Sequence, residues 1–305
     1  MPNTGSPSLR PIALATPRRA PSAILPGDIA ALRARPEFTE AAHAFAAVIV
    51  GTYRGSPFLN RLVNDRGRFI LSLLVLDMHF EALAGGPRGG LTSGRLKAQA
   101  AELGLCSPGR AGAMLATFRL LGLVTSVPDP DRRLNRLAAT EKLLALHRER
   151  WRRTLEAMVG FMPEVRPGLE RLDDPAFLGP FVAAFLLPFR QGWRMVDDVP
   201  ELDMFVERDG GLVLALSLME TGRGAPPPPI AHLARNYRLS RSHIVGMLHE
   251  AEQAGLVSRP EPRGGGIALP ALVEALEKLV AVAMLMQAQA VRRACADMEG
   301  RDRAL

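Results

Sequence analysis

One segment occurs twice in this chain. Residues 107–124, SPGRAGAMLATFRLLGLV, and residues 240–257, SRSHIVGMLHEAEQAGLV, share a plan at a constant offset of 133. Each opens with a serine, Ser107 or Ser240, suited to cap a helix by accepting a bond from an amide of the first turn. Pro108 then stands where a missing N–H costs nothing. Apolar side chains at Ala111, Met114, Leu115, Phe118 and Leu121 fall on one helical stripe, and Ile244, Met247, Leu248, Ala251 and Ala254 hold the same places in the second segment. Gly122 and Gly255 end the helices by admitting a left-handed residue. Leu-Val then begins a strand.

The agreement runs further along the chain. Pro36-Glu37-Phe38 is answered by Pro175-Ala176-Phe177. A shift of 143 brings Pro57, Leu59, Val63, Gly67, Leu71 and Leu73 onto Pro200, Leu202, Val206, Gly210, Leu214 and Leu216. After a loop ten residues shorter in the second half, the shift of 133 aligns Ala98, Ala101, Met114, Leu115, Gly122 and Leu123 with Ala231, Ala234, Met247, Leu248, Gly255 and Leu256. Identities at two fixed shifts point to an internal duplication.

Five segments follow. Residues 1–35, rich in Pro, Ser, Ala and Arg without a sustained period, read as a disordered basic tail. Residues 36–161 form a first unit, 162–174 a linker, 175–299 a second unit and 300–305 a short tail. In the first unit a helix is expected from near Thr39 to Gly55. The run Phe69 to Phe80, apolar on nearly every face, predicts a buried helix. A further helix runs from about Thr92 to Leu103, with Leu96, Ala100 and Leu103 inward. Strands Leu123–Val127 and Leu134–Ala138 pair around PDPDRR, and Thr140 caps a long helix through about Phe161. The second unit has a short helix from about Pro229 to Tyr237, a hairpin around residues 259–266 returning through Ile267–Leu269, and a helix from Pro270 to about Met298. The run LVAVAMLMQAQA in that last helix is too broad for a solvent-facing one, so it should pack on the matching long helix of the first unit or on another chain.

Composition sets bounds on function. Hydrophobic residues make up 48%, yet no apolar run reaches the length of a membrane span. The N-terminus lacks the basic-then-apolar order of a signal peptide. Cys106 and Cys295 are not in metal-type spacing, and a reducing, cytoplasmic setting is expected. The net charge of +7 is unevenly spread. Residues 1–35 carry +4, residues 86–136 carry +5 and residues 222–268 carry +3, whereas residues 160–209 carry −5. Positive charge thus gathers on the two duplicated helical blocks, as phosphate contact requires.

Catalysis has little support. The six histidines are scattered, and Asp77 and His79, two apart on a helix, do not face each other. The glycine clusters at 85–90 and 264–266 lack the Lys-Ser/Thr ending of a phosphate loop. No catalytic residue, cofactor or metal is assigned.

A short helix, a turn, a second helix and a small hairpin outline a winged helix-turn-helix. The segments GLCSPGRAGAMLATFRLLGLV and RLSRSHIVGMLHEAEQAGLV resemble those of winged-helix bacterial transcriptional regulators, most closely the MarR-like group. Each half, with flanking helices on both sides, has the layout of one such subunit, so the whole resembles a MarR dimer fused into one chain. The fold the resemblance implies is mainly α with small β-wings: two tandem winged helix-turn-helix units in a pseudo-twofold arrangement with long packing helices. It also implies sequence-specific binding of double-stranded DNA close to the nucleoid, with a recognition helix entering the major groove. Outward positions in the first copy are Gly109, Arg110, Ala113 and Thr117; in the second they are Arg241, Ser242, His243, Gly246 and His249. Arg110 and Arg241 are candidates for paired bonds to guanine. Ser107, Ser240 and Thr117 are candidates for phosphate bonds, the serines also as caps. Arg132, Arg133 and Arg263 sit on the wings, within reach of backbone or minor groove. Ala113 and Gly246 depart from the basic or polar residue such regulators often carry in the second turn. A small-molecule effector and a homodimer stay open, as do two other tandem winged-helix roles: replication initiator and protein-interaction scaffold.

Overall fold

The computed structural model describes residues 22–55, 66–85, 89–129, 135–206, 208–261 and 264–302. The fold is mainly helical with small antiparallel sheets. The first half contains α2 (Phe38–Gly55), α3 (Arg66–Leu83), β1 (Leu91–Thr92), α4 (Ser93–Glu102), α5 (Pro108–Leu120), β2 (Val124–Ser126), β3 (Arg136–Ala139) and α6 (Glu141–Val159), with α1 (Pro26–Arg33) ahead of them. After α7 (Arg166–Arg171) come α8 (Pro175–Arg190), α9 (Asp203–Val206), α10 (Gly211–Ser217), α11 (Ile230–Tyr237), α12 (Arg241–Gln253), β4 (Val257–Ser258), β5 (Ile267–Ala268) and α13 (Pro270–Asp302).

The duplicated helices agree to the residue. Helices α5 and α12 begin and end 133 residues apart. Ser107 Oγ accepts from Arg110 N at 3.3 Å and Ser240 Oγ accepts from His243 N at 3.1 Å. Both helices close through the same pair of bonds. Leu123 N donates to Phe118 O and Gly122 N to Arg119 O, matched by Leu256 N to Ala251 O and Gly255 N to Glu252 O. That double closure needs a left-handed residue after the last turn, and Gly122 and Gly255 supply it at φ 68° and 70°.

Each α5-type helix leads into an antiparallel hairpin. Val124 pairs with Ala139 in the first, Val257 with Ala268 in the second. Strand β1 adds to the far side of β3, with Leu91 opposite Leu137; in the second half the described residues show a bridge between Pro229 and Gly264 in the corresponding place. The observed strands are shorter than expected, and β1, two residues long, carries no sequence period. Thr140 stands at the start of α6 but makes no side-chain cap; its hydroxyl donates to Gly122 O at 2.8 Å instead.

The core is continuous through both halves. Eight successive residues of α3, Leu71 to Met78, are buried; six are apolar, and the two polar ones, Ser72 and Asp77, are hydrogen-bonded to Phe69 O and to Arg190. Its cover is α8, the opening helix of the other half, while α2 packs on α10. The halves therefore exchange their first helices. Helix α8 also packs along α13, so the main cover of α13's apolar run is α8. The expected neighbour, α6, meets α13 where Thr154 Oγ1 donates to Gln287 Oε1 at 2.7 Å.

Three expected boundaries are corrected. The tail does not extend to residue 35: Ile24, Ile29 and Leu32 are buried, α1 packs on α13, and Ser22 Oγ donates to Asp198 at 2.8 Å. Pro26 in its first turn and the Ile29/Leu32 pair on one face give this short segment a surface worth burying. The linker is also packed. Val165 and Leu172 are buried, and a Cβ on Gly168 would stand 2.5 Å from Val291 Cγ2, so α7 lies against α13. Helix α13 continues through residues 300–302, where a tail was expected.

Candidate nucleic-acid interface

The outward face of α5 is open. Ala111, Met114, Leu115 and Phe118 are buried, as their spacing predicts, while Ser107, Gly109, Arg110, Ala113 and Thr117 are exposed. A Cβ on Gly109 would meet nothing within 4 Å. Thr117 donates its hydroxyl to Ala113 O at 3.0 Å, which leaves only its lone pairs for a partner. On α12, Ser240, Arg241, Ser242 and His249 are exposed and Ile244, Met247, Leu248 and Ala251 are buried. Two expected outward positions are partly covered. His243 Nε2 donates to Asp209 O at 3.1 Å, and Gly246 is half-buried. Ala254, expected inward, is exposed because the helix ends there. Arg132, Arg133 and Arg263 lie outside the described residues.

Part of the positive charge is already paired. Arg95 bonds Glu81, and Arg136 Nε lies 2.7 Å from Asp129 Oδ2 across the first hairpin. In the second half Arg223 lies 2.6 Å from Glu40. Arg119 reaches Ser126 Oγ at 3.3 Å. The expected sum over the blocks thus overstates the charge that a phosphate would meet.

The first turns of α5 and α12 meet at one cleft of about 730 Å³, lined by Arg110 and His243 together with Arg194, Arg208, Asp209 and Phe189. Arg194 stacks on the Phe189 ring at 3.5 Å and donates to Phe189 O at 2.9 Å and to Leu103 O at 2.8 Å. It thus ties the turn before α5 to the second half. Arg208 forks onto Glu250 of α12 at 2.6 and 2.5 Å. The sequence hid both arginines, which lie in the acidic stretch from 160 to 209 without a motif around them.

Behind this cleft, between the halves, lies an apolar cavity of about 230 Å³. Phe45 and Ile49 of α2, Phe69 of α3, Phe185 of α8, and Leu279 and Met286 of α13 line it. Its polar features include the Thr154–Gln287 bond and Arg150, whose guanidinium lies 3.9 Å above the Phe69 ring. Phe189, Arg194, Val206 and Arg208 belong to the walls of both cavity and cleft.

Among the described residues, no group of three or more His, Cys, Asp or Glu side chains is arranged to hold a metal, and no helix is long and apolar enough to cross a membrane. No protein-family model, curated protein or solved structure matches this chain.

Proposed function

We propose that this chain is a sequence-specific double-stranded DNA-binding transcriptional regulator, with α5 and α12 as the unlike recognition helices of two winged helix-turn-helix units of MarR-like type. The observation that carries the reading is the pair of outward faces: two helices with the same caps, the same buried stripe and the same closing turn expose different side chains. Arg110 and Thr117 stand on one, Arg241, Ser242 and His249 on the other. The element order helix, strand, helix, helix, hairpin, with β1 joined to β3, also supports it.

The shared cleft constrains how DNA is engaged. Arg110 of the first turn of α5 and His243 of the first turn of α12 line the same cleft, so the two helix starts lie nearer each other than the ~34 Å between successive turns of the major groove. One compact, non-palindromic site is therefore expected, in place of two half-sites a full turn apart. The apolar cavity behind the cleft is the place for a small-molecule effector, since four residues of its wall also shape the cleft.

Selection of duplexes from a random pool, followed by affinity measurements across salt concentrations, tests this. A steep fall of affinity with salt and an asymmetric consensus are expected. A shallow salt slope with no sequence preference would overturn the reading in favour of a protein-interaction scaffold.

A further inference from the structure

We infer that the apolar cavity between the halves binds an uncharged, compact apolar molecule bearing a carbonyl oxygen, and that the Gln287 carboxamide holds that oxygen. The inference rests on the effector reading of this cavity, and its test uses no DNA. Gln287 of α13 is 5% exposed and stands on the cavity wall with Thr154 of α6. Its Oε1 accepts from Thr154 Oγ1 at 2.7 Å, the separation of an O–H···O bond. That bond turns the carboxamide oxygen to Thr154 and leaves the NH2 on the other prong, where it has no hydrogen-bond partner among the described residues. A buried amide N–H without an acceptor is costly, and a ligand oxygen in the cavity relieves the cost.

The rest of the wall sets the charge and size of the ligand. The Thr52 hydroxyl already donates to Val48 O at 2.9 Å. No carboxylate stands among the described residues that line the cavity, so a cation would leave water for a wall with nothing to pair it. The guanidinium groups on the wall are engaged: Arg150 lies over Phe69, Arg194 bonds the carbonyls of Phe189 and Leu103, and Arg208 bonds Glu250. An anion would therefore leave water for partners already taken. The volume of about 230 Å³ is half as large again as the ~150 Å³ of an apolar cavity that takes benzene, which suits two fused rings.

1-Tetralone is a probe of this size and kind, and tetralin, 1-aminotetralin and tetralin-1-carboxylate are the hydrocarbon, cation and anion of the same skeleton. In calorimetry on the full chain, tetralone should saturate one site per chain, with the two ions at least about tenfold weaker. Gln287→Met keeps the length of the side chain and removes the NH2. It should weaken tetralone about five- to tenfold, the loss of one hydrogen bond, and leave tetralin unchanged or tighter. The Thr154 hydroxyl can then turn to Trp151 O, 3.0 Å away, so the variant strands no donor. Ala283→Leu, which adds bulk from the cavity wall, should weaken tetralone and tetralin alike. On the unaltered chain the carbonyl stretch of bound tetralone should lie below its frequency in alkane, as a bond from N–H requires, and that reading needs no variant to fold. Absence of saturation, an ion bound more tightly than tetralone, equal weakening of tetralone and tetralin by Gln287→Met, unchanged binding in Ala283→Leu, or an alkane-like carbonyl stretch overturns the inference. Failure of the regulator reading shows separately. A chain that binds tetralone but selects no duplex keeps this site and loses the DNA reading; one that selects a duplex without saturating with tetralone does the reverse.

Discussion

Asp77 on α3 and Arg190 on α8 form an ion pair between the two halves, with the carboxylate only 4% exposed. Burial lifts the Asp77 carboxyl above its ordinary value, against the opposing pull of Arg190. A buried pair of this kind is costly to break on one side and inexpensive to replace on both. Asp77→Ala should therefore destabilise the chain by about 3 kcal/mol in urea denaturation, while Asp77→Leu with Arg190→Met should recover most of the loss. A double variant as weak as the single one would assign the loss to packing.

His147 predicts an acid-sensitive stability. The Ser72 hydroxyl donates to Phe69 O at 2.7 Å, so its oxygen is free to accept from His147 Nε2 at 2.9 Å, and the ring is held neutral. Burial, with Arg150 nearby, pushes its pKa down to about 3. The folded value lies below the unfolded value of about 6.5, so this contribution is complete above pH 6.5 and is lost as pH falls towards 3, at about 1.4 kcal/mol per unit. Between pH 6.5 and 5 the native chain should lose about 2 kcal/mol through this group. His147→Gln should lack that part of the slope when denaturation midpoints are compared.

Arg238 is the non-glycine residue with positive φ, at 53°, among the described residues. It ends α11 where Gly104, at φ 60°, follows α4 in the first half. Its side chain is exposed, so the conformation costs strain without burying surface. Arg238→Gly should raise stability by about 1 kcal/mol, and Arg238→Ala should not. Thermal unfolding of the two variants separates these outcomes.

Arg110→Ala and Arg241→Ala should each weaken a selected duplex by about 1–3 kcal/mol and relax preference at different positions of the site. Arg153→Ala, on α6 and paired to Glu149, should change neither. Equal relaxation at the same position in both variants would mean that the two helices do not read separate bases.

Local chemistry made much of this fold legible. Ser107 and Ser240 marked helix starts, Gly122 and Gly255 marked ends, and the apolar spacing between them named the buried faces. Those signals act within a few residues, so they carry over to the structure. The run from Leu71 to Met78 announced burial but not its cover, because periodicity tells which face is apolar and not which helix will meet it. For the same reason α1 and α7 passed as tail and linker; their few apolar residues gain meaning only against α13. At the candidate site, the exposed face of α5 was readable from helical spacing. Arg194 and Arg208 were not, since loops distant in sequence carry them to the cleft.

The exchange of opening helices also bears on how the chain is made. When α3 leaves the ribosome, the helix that will sheathe it lies about ninety residues downstream. At a synthesis rate of about 5–20 residues per second, its eight buried positions wait several seconds for α8. Until α8 and its own partner α13 are made, that stretch of α3 stays uncovered, so a purified fragment ending at residue 174 should sediment as aggregate at concentrations where the full chain stays in solution.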